Sequence, residues 1–219
     1  MALTDIYDDL TARLRASGNW VWPFFLRAIL AHEFFKAGMT KLNGNNWFNG
    51  RIDSFPQPFK LLGGDISWFA ATWGELVFST LLLLGLFTRF AAFSLFVITV
   101  VAIMTIHWPA EWSSLAELWK GYSVSRVVED GHFFGNYRIP LLFIIMLLPL
   151  VFHGGGKFSV DNILLILTAR SGDQRSIGDV QAAGLAFFVL AAGFIYFIPV
   201  FGFVLLGLAA LCFLIPRFS

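Results

Sequence analysis

Hydrophobic residues along this chain gather into long blocks separated by short polar stretches, with no strand-like alternation. Residues 20–37, 66–87, 90–106 and 139–152 form four such blocks, and residues 180–216 form a fifth. A helix needs about 20 mostly apolar residues to cross the hydrocarbon of a bilayer, and the first four blocks predict spanning helices. The fifth contains 37 residues and no charge. As one helix it would be about 55 Å long, nearly twice the ~30 Å core. Pro199 and Gly202 interrupt it, so it predicts a hairpin of two short spans. The expected fold is therefore all-α: a polytopic membrane protein with a four-helix transmembrane core and a C-terminal hairpin, about six spans in all. A β-barrel would show alternating segments of about ten residues instead.

The pattern divides the chain into an N-terminal segment (1–18), the four-helix core (19–165), and a polar linker with the hairpin (166–219). In the first segment Leu3, Ile6, Tyr7, Leu10 and Leu14 recur at helical spacing, which predicts an amphipathic helix on the membrane surface, with a frayed soluble tail as the alternative. Asp5, Asp8 and Asp9 stand where a cleavable signal would be basic. Two loops are long. Residues 38–65 carry the turn runs Asn43-Gly44-Asn45-Asn46 and Phe55-Pro56-Gln57-Pro58. In residues 107–138, Trp112, Leu115, Leu118, Trp119 and Tyr122 share one helical face, predicting a helix lying flat at headgroup level as a lid.

Composition agrees. Of 219 residues 58% are hydrophobic and 13% charged, against roughly 25% charged in soluble domains. With 26 Phe, 8 Trp and a net charge of +1, a soluble enzyme, a disordered chain and a nucleic-acid binder are excluded, and the lipid bilayer is the first partner. The single cysteine, Cys212, excludes an intrachain disulfide, a CxxC redox pair and a thiolate metal centre.

Six spans would put both termini on one side with Arg13, Arg15, Arg89, Lys157, Arg170, Arg175 and Arg217, against Lys41, Arg51, Lys60, Lys120, Arg126 and Arg138 opposite. Seven cations against six is nearly balanced; the short basic turn at Arg89 favours a cytoplasmic N-terminus.

Ionisable residues inside the spans are the candidate chemistry. Each costs about 2.5–3.5 kcal/mol near the bilayer centre, so such groups face partners or cavities. The first span carries Arg27, His32, Glu33 and Lys36, and the second carries Glu75. His32, Glu33 and Lys36 form one helical stripe, Glu33 and Lys36 being about 60° apart. Arg27 lies half a turn from Lys36, so Glu75 is expected to pair with Arg27 or Lys36. The five are read as a ligand pocket, with a structural clamp as the alternative. His32, His107 and His132 fall on one side of the membrane, and imidazoles beside carboxylates bind copper, zinc or iron. No two of them stand at i, i+4, so a metal group is the lesser reading.

Arg27 followed by Lys36-Ala37-Gly38 and Lys41, Glu75 followed by Leu84-Gly85-Leu86-Phe87-Thr88-Arg89-Phe90-Ala91-Ala92, and Gly154-Gly155-Gly156-Lys157-Phe158-Ser159-Val160-Asp161 form a combination. Over roughly residues 20–165 it resembles the DoxX family of small bacterial inner-membrane proteins. The resemblance implies a four-helix transmembrane core and links to quinone-dependent sulfur oxidation, to redox-stress complexes, and to operons making copper-binding peptides. The long Trp-rich loop and the hairpin depart from the family core. Physically, the glycine run reads as a tight exit from span four, Ser159 or Asp161 as a cap for the next short helix, and Arg89 as a contact for lipid phosphates.

Two functions compete. One is an accessory subunit of a membrane redox system, with a quinone as cofactor and electrons supplied by a partner protein carrying redox centres, since flavin, nicotinamide and haem signatures are missing. Such a chain would be a subunit of a quinone-linked oxidoreductase. The other is a non-enzymatic membrane protein that assists maturation or export of a metal-binding peptide or a small solute. The oligomeric state is not legible.

Overall fold

The computed structural model describes residues 3–122, 127–168 and 177–215. Arg126, Arg170, Arg175, Arg217 and most of the polar linker lie outside them. The helices run α1 (Leu3–Leu42), α2 (Phe59–Leu84), α3 (Thr88–Ala102), α4 (Leu115–Gly121), α5 (Arg138–His153), α6 (Val160–Leu167), α7 (Val180–Phe197) and α8 (Pro199–Leu214). One small antiparallel hairpin, β1 (Val127–Glu129) with β2 (His132–Gly135), interrupts the helical pattern.

The core is a ring in which α1 packs on α2, α2 on α3, α3 on α5 and α5 on α1. Leu30, Phe34, Leu82, Ala91, Leu95, Phe96, Val100, Ile144, Leu147 and Leu150 fill it. Outside the ring, α7 and α8 pack on each other and α7 on α3, as the hairpin reading expects. The turn comes where Ile198 leaves helical geometry and Pro199 opens α8. Gly193 gives the ring of Phe96 its close approach, and Phe197 stacks on Trp108. By length and composition Phe59–Leu84, Thr88–His107 and Val180–Phe197 suffice to cross a membrane; Arg138–His153 and Pro199–Leu214 are apolar but shorter. Phe25, Ile29, Phe69, Trp73, Val77, Leu185 and Phe203, all on outward faces, are exposed, as lipid-facing residues are.

The N-terminal segment is not a separate surface helix. Its helix continues through Gly18 and Pro23 into the region expected to be the first span, forming one 40-residue element. Proline lacks the N–H that would bond four residues back. The carbonyl thereby released, that of Asn19, accepts from the Lys157 N–H at 3.2 Å, so the helix passes Pro23 with its backbone satisfied.

The end of the ring near Asn19 (the proximal end) is tied by charged side chains capping helices other than their own. α2 ends in a Schellman turn, with Gly85 left-handed at φ 69°, its N–H on Leu82 O and the Leu86 N–H on Leu81 O. The Leu83 carbonyl accepts from Arg27 Nη1, which also makes a longer contact to Leu82 O, and Arg27 Nη2 reaches the Phe158 carbonyl. A side chain at Gly85 would collide with Arg27 and with Ser159. Arg89 Nη1 donates to the Val151 and Phe152 carbonyls at the end of α5. Asp161 accepts from the Phe87 and Thr88 N–H groups at 2.7 and 2.9 Å, capping α3, while Ser159 caps its own α6.

Candidate functional site

α1 stops early at the opposite, distal end. Gly38 lets it approach α2 so closely that an added Cβ would stand 2.8 Å from Leu76 and 3.2 Å from Glu75 Cβ. Beyond that level α1 has four residues left, about 6 Å. By contrast α2 runs eleven residues from Glu75 back to its break at Gly63–Gly64, about 16 Å. The non-helical segment between α1 and α2 fills the difference. Irregular backbone at membrane depth is tolerated where it is buried in protein or lines a cavity, and this segment does line one. A short 3₁₀ helix, Phe48–Ser54, forms its middle. Asp65 Oδ1 pins the segment by accepting from Asn46 and Asn49 at 2.7 and 2.8 Å. Phe48 packs on Trp47, Phe55 and Trp68.

Beneath it lies a cavity of about 520 Å³ between α1, α2, α3 and α5. Its walls are mostly apolar: Phe34, Trp47, Phe48, Phe55, Phe59 and Phe143. Polar side chains interrupt them. Glu75, 5% exposed, accepts from Lys41 Nζ through both oxygens, at 2.8 and 2.7 Å. Glu33 lies on the wall with no partner among the described residues. His107 closes a five-residue π-helical stretch (Ile103–His107) at the end of α3, and its Nδ1 is 2.7 Å from Asn136 Oδ1. The Ser67 hydroxyl is buried without a hydrogen-bond partner among the described residues. A buried Lys–Glu pair offsets its own desolvation only when its geometry is good; two-fold contact meets that condition and leaves a neutral, strongly polar spot on an oily wall.

The expected constellation is only partly assembled. Glu75 and Glu33 line the cavity. Arg27, 1% exposed, sits at the proximal end capping α2, far from Glu75. The pairing of Glu75 with Arg27 or Lys36 is thus corrected to Lys41. Asn19 is held at the proximal surface, which levels Arg27 with the end of α2 and leaves Gly38 beside Glu75. His32 and Lys36 are exposed on the outer face of α1. Leu30, Phe34, Ala37 and Lys41 share the opposite face, so His32 and Lys36 of the expected stripe point away from the ring, while Glu33, exposed between the two faces, borders the cavity. His32, His107 and His132 do not converge: His132 is exposed at the start of β2, His107 is engaged by Asn136, and among the described residues no three metal-ligating side chains come together.

The Trp-rich loop is also corrected. Only Leu115–Gly121 is helical. It is anchored by Leu118, which is buried, and by Tyr137, whose N–H donates to Gly121 O and whose hydroxyl donates to Leu118 O. Trp112, Leu115, Leu118, Trp119 and Tyr122 do not line the cavity; the cover comes from the segment with Trp47, Phe48 and Phe55. Ser113 donates to Glu117 through its N–H and hydroxyl, holding that carboxyl below the ordinary range.

Sequence reading missed Lys41, which lies beyond the apolar block, and the orphaned Ser67. Lys41 had a signal: it stands three residues after Gly38 and four after Ala37, on the face of Phe34.

A model of the DoxX family, described simply as DoxX, matches residues 22–108. An uncharacterized protein of Haemophilus influenzae is 38% identical over 152 residues, which cover 69% of this chain and 89% of that protein. No solved structure matches the chain. The matched region holds the capping residues Arg27 and Arg89, the Lys41–Glu75 ion pair, and Gly38 and Gly85; the chain belongs to the DoxX family.

Proposed function

We propose that this membrane protein is an accessory subunit of a membrane redox system and that its distal cavity takes a quinone. The observation that carries the reading is the Lys41–Glu75 pair set in an aromatic-walled cavity of about 520 Å³. A quinone needs a slot for a flat head, polar groups at its oxygens and an apolar path for its tail. Phe34, Phe48 and Phe143 supply ring surface, and the exposed faces of α1 and α2 border the lipid. Lys41 Nζ, with three donors of which Glu75 uses two, is placed to donate to a carbonyl oxygen. Glu75 is placed to accept a hydroxyl proton from the reduced form, and Ser67 offers a hydroxyl with no other partner. A bound quinone would supply two-electron redox chemistry; the electrons reach it from a partner protein, because this chain's residues bind, orient and move protons only. The bilayer is read as the bacterial inner membrane, with the N-terminus on the cytoplasmic side beside Arg13, Arg15, Arg89 and Lys157.

The test is quinone extraction from protein purified in mild detergent, followed by titration of the delipidated protein with ubiquinone or menaquinone while following tryptophan emission, since Trp47 lines the cavity. Co-purification and saturable quenching that weakens at least tenfold in Glu75→Gln are expected. Absence of both co-purified quinone and saturable quenching sinks the reading.

A further inference from the structure

The proximal end holds a second cavity, of about 710 Å³, that the redox reading does not use. Its polar rim is Arg89, His153, Lys157 and the glycines at 154–156, and its apolar wall includes Trp22, Phe87, Phe90, Leu164 and Leu165. Three observations set it apart from a mere crevice between helix ends.

The cations are not neutralised. Arg89 uses Nη1 alone on the α5 carbonyls, and its Nε and Nη2 lie 3.6 and 3.8 Å from where a Cβ of Gly154 would stand. Lys157 Nζ rests 5.0 Å over the ring of Trp20 with no carboxylate partner. The one acid on the wall, Asp161, already accepts from two backbone amides with its two oxygens.

The glycine loop presents donors. Gly154 and Gly156 are left-handed, at φ 81° and 73°. The Gly154 N–H returns to α5 and the Lys157 N–H goes to Asn19, whereas the Gly155 and Gly156 N–H groups donate to nothing among the described residues. Two successive amides without a protein acceptor are donors that an anion can use.

Finally, the Thr88 hydroxyl on the same wall is fully buried with no hydrogen-bond partner among the described residues. It faces Gly155, where an added Cβ would come within 2.6 Å of Thr88 Oγ1. Valine would fill the same volume without an orphaned hydroxyl.

We propose that this cavity binds a phosphate group, and that the source is an anionic phospholipid. Arg89, Lys157, the two free amides and Thr88 would hold the phosphate, and the aromatic and leucine wall would take the acyl chains. A soluble phosphate ester has the same anchoring chemistry but gains nothing from the apolar wall. The position suits a headgroup: the cavity opens where α1, α3 and α5 reach the membrane surface, beside the short apolar α6, on which Ile163, Leu164, Ile166 and Leu167 are exposed.

The test is native mass spectrometry of the full chain reconstituted in nanodiscs of phosphatidylcholine with phosphatidylglycerol, scoring lipid retained after release. One phosphatidylglycerol retained per chain is expected, with retention at least fivefold lower in Lys157→Gln and in Thr88→Val. Thr88→Val removes no contact from the protein itself, so its thermal unfolding temperature should stay at or above wild type while retention falls. Glu75→Gln, at the other end of the ring, should retain the lipid fully, which separates this site from the quinone reading. Equal retention of phosphatidylcholine, unchanged retention in Lys157→Gln, or loss only in variants that also unfold would overturn the proposal. Displacement of the lipid by millimolar inorganic phosphate alone would reassign the site to a soluble phosphate and overturn the lipid source.

Discussion

Arg27, Arg89 and Asp161 at the proximal end direct their charge at backbone ends of helices they do not belong to, whereas Lys41 and Glu75 at the distal end direct theirs at each other beside a cavity. The two arrangements do different work. A carbonyl at a helix end carries only a fraction of a unit charge, so Arg27 keeps its net charge while removing the cost of orphaned backbone groups. A side-chain pair cancels its charge and leaves two ends that a small ligand can displace or bridge. Caps fix geometry; a neutral pair on an oily wall is free to recognise something.

The largest effect should come from the proximal end. Arg27→Met would take the Arg27 donor from the part-buried carbonyls of Leu83 and Phe158 and leave Leu82 O with the Gly85 N–H alone. At about 1–3 kcal/mol for each buried unsatisfied group, a loss of about 3 kcal/mol or more is expected, read as collapse of folded yield and of the unfolding temperature in detergent. Arg27→Lys should rescue only in part, because a point charge cannot span both carbonyl sets as the planar fork does. Near-normal stability of Arg27→Met would mean that water satisfies these carbonyls and that the cap is dispensable.

Next come the pair variants. Glu75→Leu leaves the Lys41 ammonium buried alone, and breaking a buried pair costs about 3–5 kcal/mol; partial exposure of Lys41, 18% for its side chain, brings the expectation to about 2 kcal/mol. Lys41→Met with Glu75→Leu should recover most of that while quinone binding stays lost. If the double variant folds and binds like wild type, the pair is a clamp and the site lies elsewhere. Asp161→Asn sits lower, at about 1 kcal/mol for a lost cap, measured as destabilisation of the start of α3 by amide exchange.

A pH effect is expected outside the membrane. The Ser113 N–H and hydroxyl, followed by the Ser114 cap, hold the Glu117 carboxyl below its ordinary value in the folded loop. A depressed pKa contributes stability above the unfolded pKa, and that contribution is lost as pH falls through the folded value. Amide protection over Leu115–Gly121 should therefore hold near neutrality and fall on acidification below the ordinary carboxylate range, while the proximal caps stay protected. Protection that does not change with pH would show that Tyr137 and Leu118 alone hold the turn.

Much of the ring was legible because long apolar blocks admit little but spanning helices, and Pro199 in a charge-free block admits little but a hairpin. The position of Glu75 was legible as important because a lone carboxylate in an apolar span needs a partner. Its partner was not, since helix phase is local but axial offset is set by tertiary contacts: the Asn19–Lys157 bond and the Gly38–Leu76 approach fix how far α1 slides along α2. The roles of Arg89 and Asp161 were hidden for the same reason, because each caps a helix more than 60 residues away. The cover over the cavity was hidden by composition. Residues 43–58 read as turn chemistry, and the segment does turn, but its aromatic side chains then fold down onto Trp68.

The smallest effect decides where α1 presents its chemistry. Lys36 and His32 are exposed on the outer face of α1, with no partner among the described residues, beside Ile29 and Phe25. A lysine there can carry its ammonium to the headgroups along its own stem. Lys36→Leu should accordingly change stability by less than about 0.5 kcal/mol, as for substitutions away from packed or paired groups, and leave quinone quenching as in wild type. Glu33→Gln, one turn back but on the cavity wall, should weaken quenching without moving the unfolding temperature. The contrast between the two tests the outer face of α1 against its flank beside the cavity. If Lys36→Leu abolishes the cellular phenotype while quenching persists, the outer face of α1 is where a redox partner docks. If Lys36→Leu abolishes quenching itself, the quinone lies on the outer face of α1 and the distal cavity is not its site.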